Sequence, residues 1–171
     1  MKIAITTEST VDLPKELLEK YDIKTVPFMV LLGENEYKDG EIGSKEIFEF
    51  VDKNKVLPKT SAVNGEQYRE FWTEILKTYD AIVHVTLSSE MSSAWTHAVE
   101  TANEMKNVYV VDSKSLSTGI ALLAINGRKY ADKGMSAEEI AKKLEERVPK
   151  VQASFVLKKL EYLYKGGRCS A

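Results

Sequence analysis

One cysteine, Cys169, stands among 171 residues. A single thiol cannot close an internal disulfide, and it removes Cys-based metal sites from consideration. A surplus of positive charge is also missing. Lysine and arginine number 24 against 26 aspartates and glutamates, a net charge of −2, and the pI is about 5.8. Without a basic excess to neutralise phosphates, neither DNA nor RNA is the expected partner. No apolar run approaches the length of a membrane span. Met1-Lys-Ile-Ala-Ile-Thr enters a strand pattern directly, without the layout of a secretory signal, so a cytoplasmic soluble protein is expected. A Walker loop, a G-x-S-x-G elbow and a G-x-G-x-x-G turn are all lacking, and Asp112 has no second carboxylate at metal-binding spacing. Internal repeats and low-complexity tracts are absent as well.

What is present points to a packed α/β protein. Hydrophobic residues make up 43% and charged residues 29%, a balance that supports a core rather than disorder. Strands are expected at Lys2 to Thr6, Thr25 to Leu32, Ala81 to Val85, Val108 to Val111 and Val151 to Leu157, with Glu36 to Lys38 pairing back as a hairpin arm. Helices are expected from Leu13 to Tyr21 capped by Asp12, from Lys45 to Asn54 capped by Ser44, and from Ala94 to Met105. Asn64 and Gln67 have capping-box spacing for a helix to Tyr79, and Ser136 and Glu139 for one to Arg147. Thr118 to Asp132 reads as a helix ended by Gly134, and Lys158 to Lys165 as a short helical piece. Lys55 to Gly65 reads as a polar loop. This alternation predicts a mostly parallel, Rossmann-like sheet with helices on both faces.

In such a sheet, ligands sit at the carboxyl ends of the strands. The stretch Asp80 to His97 fits that place. A β-branched apolar run opens into Ser88, Ser89, Ser92 and Ser93, and a helix follows. Helix N-termini offer unpaired N–H groups and favour a phosphate or a carboxylate. Thr7 to Thr10, Thr60-Ser61 and Ser113 to Thr118 are further hydroxyl-rich loops. Each alone is explained by capping and turn formation; their repetition at one sheet edge is what suggests a site. Ser93 and His97 have i, i+4 spacing, but His97 reads as a polar helix residue and His84 as a satisfied strand histidine. Gly166-Gly-Arg168 fits a phosphate nest or a plain turn with a surface cation.

The chain resembles the DegV family of bacterial fatty-acid-binding proteins. The resemblance rests on Thr7-Glu-Ser-Thr-Val-Asp-Leu-Pro14, Val26-Pro27, Tyr37-Lys-Asp-Gly40, Pro58-Lys-Thr-Ser61, Ser88-Ser-x-Met-Ser92, Val111-Asp-Ser-Lys-Ser115 and Leu160-Glu-Tyr-Leu-x-Lys-Gly-Gly-Arg-x-Ser170. It implies two α/β domains with a long-chain fatty acid between them. The chain would be a carrier rather than an enzyme, would need no cofactor or metal, and would present the acid's carboxylate to a separate fatty-acid kinase subunit for phospholipid synthesis. Peripheral membrane contact would accompany lipid exchange. Thr60, Ser61 and Ser93 are the implied carboxylate contacts, with Ser92 a co-candidate and Arg168 near the head group or the kinase-facing surface. Glu8 departs from the usual aspartate, Ala62-Val-Asn64 from Gln-Pro-Ser, and Ser93 from a common glycine. On this resemblance residues 1–150 form the lipid-binding domain, and 151–171 begin a second domain that is truncated. The alternatives are a small phosphotransferase or hydrolase on the same sheet, and an interaction module that binds no lipid.

Overall fold

The structure, a computed structural model, describes residues 1–158 and 160–167. These fall into two structural units. The first comprises residues 1–27 and 62–153, and the second residues 28–61 and 154–171.

The first unit is built on a parallel sheet. Strands β1 (Ile3–Glu8), β2 (Ile23–Val26), β6 (Ala81–Thr86) and β7 (Val108–Asp112) lie in the order β2-β1-β6-β7. Each pairing is parallel, with Ile5 opposite Val83 and Thr6 opposite His84 on β1 and β6. Both central strands are buried at all six positions, as a sheet covered on both faces requires. Side chains alternate between faces. Ile3, Ile5, Val83 and Val85 share a core with Ile120, Leu123 and Ala124 of α5 (Thr118–Asp132) and Ile140 and Leu144 of α6 (Ala137–Arg147). His84 meets Tyr68 and Trp72 of α3 (Gly65–Leu76) at ring-centroid distances of 5.2 and 5.3 Å. Helix α4 (Ala94–Asn103) packs on β6 and β7. Gly127 lets α5 approach closely, since a Cβ there would stand 3.3 Å from both Ile5 Cδ1 and Leu144 Cδ1.

Both predicted capping boxes form: Gln67 N donates to Asn64 Oδ1 at 3.0 Å, and Glu139 N to Ser136 Oγ at 3.3 Å. Helix α1 (Lys15–Lys20) instead follows Pro14, which is extended, and Asp12 is no cap. Asp12 adopts a left-handed conformation at φ 52°, and its carboxylate accepts from the Ser117 hydroxyl.

The second unit holds a three-stranded antiparallel sheet, β4-β3-β5, made of β3 (Met29–Leu32), β4 (Asn35–Lys38) and β5 (Lys59–Ser61). Helices α2 (Ser44–Asn54) and α7 (Glu161–Lys165) complete it. On α2 the Ser44 cap is displaced by one residue, because Gly43 takes the N-cap position and its N–H donates to Glu46 Oε2 at 3.0 Å.

Three further expectations change. Thr25 to Leu32 is two strands in two sheets, divided at Pro27-Phe28, because proline brings no N–H to a ladder. Within the predicted loop Lys55 to Gly65, Lys59–Ser61 pairs with Met29–Leu31 as β5. Val151 to Leu157 forms no strand; Val156 is 98% exposed. Apolar residues make a strand only where a neighbour accepts their backbone hydrogen bonds.

Candidate functional site

The loops after β1, β6 and β7 leave the parallel sheet at one edge, as expected for three of the hydroxyl-rich loops. They are tied together by backbone and side chain. Ser88 N donates to Ser115 O at 3.0 Å, and Ser117 N to Thr10 O at 3.1 Å. The Asp112 carboxylate accepts from Ser89 N at 3.1 Å and Lys114 N at 3.0 Å. Lys114 Nζ stands 3.1 Å from the same carboxylate and donates to Ser89 Oγ at 2.7 Å. Burial alone would raise the Asp112 pKa. Its hydrogen bonds to Ser89 and Lys114 outweigh that and hold it below the usual carboxylate range.

The serine loop is less open to an anion than its sequence implies. Leu87 N donates to Glu8 Oε2 at 2.8 Å, Glu90 N to Ser88 Oγ at 3.2 Å, and Met91 N and Ser92 N to Ser88 O at 3.0 and 3.2 Å. Ala94 N donates to Ser92 Oγ at 3.2 Å. That leaves the N–H groups of Ser93, Trp95 and Thr96 without an acceptor among the described residues. The Ser92 oxygen thus accepts from the first N–H of α4, and its hydroxyl proton remains to donate. Ser93 is exposed and makes no side-chain cap bond. His97 Nδ1 donates to Val63 O at 2.9 Å, and no hydrogen bond links its ring to the Ser93 hydroxyl among the described residues.

Beneath the loop lies a buried polar group whose function the sequence did not suggest. Glu8, Thr6 and His84 are each 0% exposed. Tyr68 OH donates to Glu8 Oε1 at 2.6 Å, His84 Nε2 stands 3.1 Å from the same oxygen, and His84 Nδ1 stands 2.7 Å from Thr6 Oγ1. Burial, then the neighbouring Glu8 carboxylate, push the Tyr68 phenol far up, so it remains a neutral donor. Tyr68 also stacks on Trp72 at 4.8 Å. The available signal was the register: Glu8 shares a sheet face with Thr6 and His84. No cluster of three or more His, Cys, Asp or Glu residues suited to a metal occurs among the described residues.

Thr60 and Ser61 belong to the antiparallel sheet, not to the parallel one. They sit exposed on β5 of the second unit, opposite Val30 and Met29. Thr60 lines a cleft of about 670 Å³ within its own unit, together with Val56, Leu57, Pro58, Tyr162 and Leu163; Lys59 and Lys165 add cations to its wall. Arg168 lies outside the described residues.

A parallel sheet covered by helices, with hydroxyl-rich loops at its strand ends, makes the first unit an α/β fold. Residues 2–171 match the DegV family of uncharacterised proteins, and the chain belongs to that family. A fatty acid-binding protein of Thermotoga maritima is 34% identical over 99% of this chain and 62% of its own length. The crystal structure of DegV from Bacillus subtilis, a fatty acid binding protein, is 32% identical with a TM-score of 0.89 over 98% of this chain and 61% of that one. A DegV family protein from Thermus thermophilus, described for its fatty acid binding, gives 31% identity and a TM-score of 0.88 over 98% and 61%. The chain therefore spans about three fifths of the length of the proteins it matches.

Proposed function

We propose that this chain binds a long-chain fatty acid through its carboxylate and presents it to a separate fatty-acid kinase subunit for phospholipid synthesis. It acts as a carrier in the cytoplasm, performs no chemistry of its own, and touches the membrane peripherally to exchange lipid. The observation that carries this reading is the cleft beside Thr60, whose walls are mainly aliphatic and aromatic carbon. Its volume lies within the usual range for small-molecule sites.

The energetics favour an acyl chain there. At about 0.8 kcal/mol per buried CH₂, some fourteen methylenes give roughly 11 kcal/mol before association costs. Desolvating the carboxylate costs several kcal/mol. Charge-assisted hydrogen bonds of about 1.5–3 kcal/mol each offset this and fix orientation. The proposed donors are Thr60 and Ser61 on β5, and Ser92, Ser93 and the free N–H groups of Trp95 and Thr96 at α4. Arg168 is proposed to serve the head group or the kinase-facing surface. In the same reading residues 1–150 form the lipid-binding domain and 151–171 begin a second one.

Mass spectrometry of the purified protein under native conditions tests the carrier reading directly, since a carrier arrives with host lipid. Thr60→Val is expected to weaken palmitate binding while hardly changing that of hexadecanol. Equal losses for both ligands would remove Thr60 from the head-group site. Ser93→Ala is expected to lower acyl-phosphate formation by the partner kinase, and an unchanged rate would exclude Ser93. A second reading, an interaction module, draws support from the exposure of Phe155, Val156 and Leu157. Protein that never carries or binds lipid would favour it.

A further inference from the structure

A buried carboxylate with three donors needs a reason to be there, because burying charge is costly unless it is fully paired. Glu8 ends β1 and is 0% exposed. One oxygen accepts from Tyr68 OH at 2.6 Å and faces His84 Nε2 at 3.1 Å. The other accepts from Leu87 N at 2.8 Å. An imidazole protonated at Nε2 satisfies both of its contacts, since the Thr6 hydroxyl, 2.7 Å from Nδ1, can then donate. Leu87 is the first residue after β6, where the chain turns into the serine loop. Its two successors are held in the same way, Ser88 N by Ser115 O and Ser89 N by the Asp112 carboxylate. The loop is thus pinned by three consecutive N–H groups. The Glu8 carboxylate is wholly out of solvent, whereas the Asp112 side chain is 15% exposed.

We propose that Glu8 is a positioning residue for the head-group site: clamped by Tyr68 and His84, its carboxylate fixes the entry of the Ser88–Ser93 loop and so aims Ser93 and the α4 N-terminus at a bound carboxylate. This rests on the carrier reading above. The clamp explains why a tyrosine and a histidine from α3 and β6 converge on one glutamate oxygen. They hold the carboxylate's first oxygen so that its second stays on Leu87. A purely apolar filling of the same space would leave the Leu87 N–H without an acceptor at the hinge of the loop.

The test uses the full chain, with palmitate and hexadecanol as probes, and the ¹⁵N–¹H signal of Leu87 as a direct reporter. Glu8→Gln puts an amide nitrogen among donors. It is expected to lower palmitate affinity about tenfold, the equivalent of one hydrogen bond to a charged group, while hexadecanol binding stays within about twofold. The Leu87 amide proton is expected to move upfield as it loses a carboxylate acceptor. Tyr68→Phe keeps the ring packing and the charge, and is expected to act in the same direction with a smaller loss. It keeps the question open to experiment if Glu8→Gln does not fold. Equal losses for acid and alcohol would make Glu8 a structural residue only. A gain in palmitate affinity would mean that its charge repels the ligand. Either outcome overturns the proposal. If the unaltered protein binds neither probe, the carrier reading fails and the head-group role with it. The Leu87 signal then still reports whether Glu8 holds the loop.

Discussion

The two units treat their apolar residues differently. In the first, Ile5, Val83, Ile120, Leu123, Ile140 and Leu144 are 2% exposed or less around a parallel sheet covered on both faces. In the second, the best-buried residues are Phe28, Val30, Leu32 and Val51, at 7–9%, while Phe48, Val56, Phe155, Val156, Leu160, Tyr162 and Tyr164 are more than half exposed. The first unit therefore has an interior of its own, and the second is largely surface. Contiguous exposed apolar surface is characteristic of parts that meet something else. The cleft beside Thr60 belongs to that kind of surface.

The contrast is open to measurement. Hydrogen exchange gives the largest expected effect. Amides of β1 and β6 are expected to exchange only through global unfolding, and those of β3 to β5 roughly a hundredfold faster or more. Comparable rates in both sheets would erase the distinction. Substitution gives the next. Leu123→Ala removes a fully buried side chain and is expected to cost about 2–5 kcal/mol in urea unfolding. Phe48→Ala, at a side chain 59% exposed, is expected to change stability by no more than about 0.5 kcal/mol. A large loss at Phe48 would show that the second unit hides a core of its own.

Acid response is the smallest effect. Asp22, Asp112 and Glu139, the carboxyls held below their ordinary range, all belong to the first unit. A depressed folded-state pKa contributes stability above the unfolded-state value, about 3.9 for an aspartate, and loses it as pH falls through the folded-state value. The serine loop is therefore expected to lose amide protection on acidification below about pH 4. Asp112→Asn should flatten that dependence while leaving β3 to β5 unaffected. An unchanged profile in the variant would show that Asp112 does not govern the loop.

The legible parts of the fold are those written in short-range chemistry. Asn64 with Gln67 and Ser136 with Glu139 announce their helices because the capping partners are three residues apart. Thr118 to Asp132 is found at its full extent because its apolar face recurs with helical period. The illegible parts depend on distant partners. Lys59–Ser61 is a strand only because Met29–Leu31 lies beside it. Val151 to Leu157 has strand composition, yet it stays irregular. The candidate site divides along the same line. Its hydroxyls could be read from the serine loop and from Pro58-Lys-Thr-Ser61. The consumption of the loop's own N–H groups by Glu8, Asp112 and Ser115 could not, since those acceptors come from β1, the end of β7 and the loop after it.

The amino-acid order alone determined the alternation of strand and helix, the capping boxes at Asn64 and Ser136, the lack of a second cysteine for an internal disulfide, and the family resemblance. All of these rest on composition or on neighbours within a few residues. Only the tertiary structure decided that Pro27 ends one sheet and Phe28 opens another unit, that Thr60 stands on an antiparallel strand over an apolar cleft, and that Glu8 is buried beneath the serine loop. Those are matters of which distant groups meet, and hydrogen bonding and burial are satisfied in space rather than along the chain.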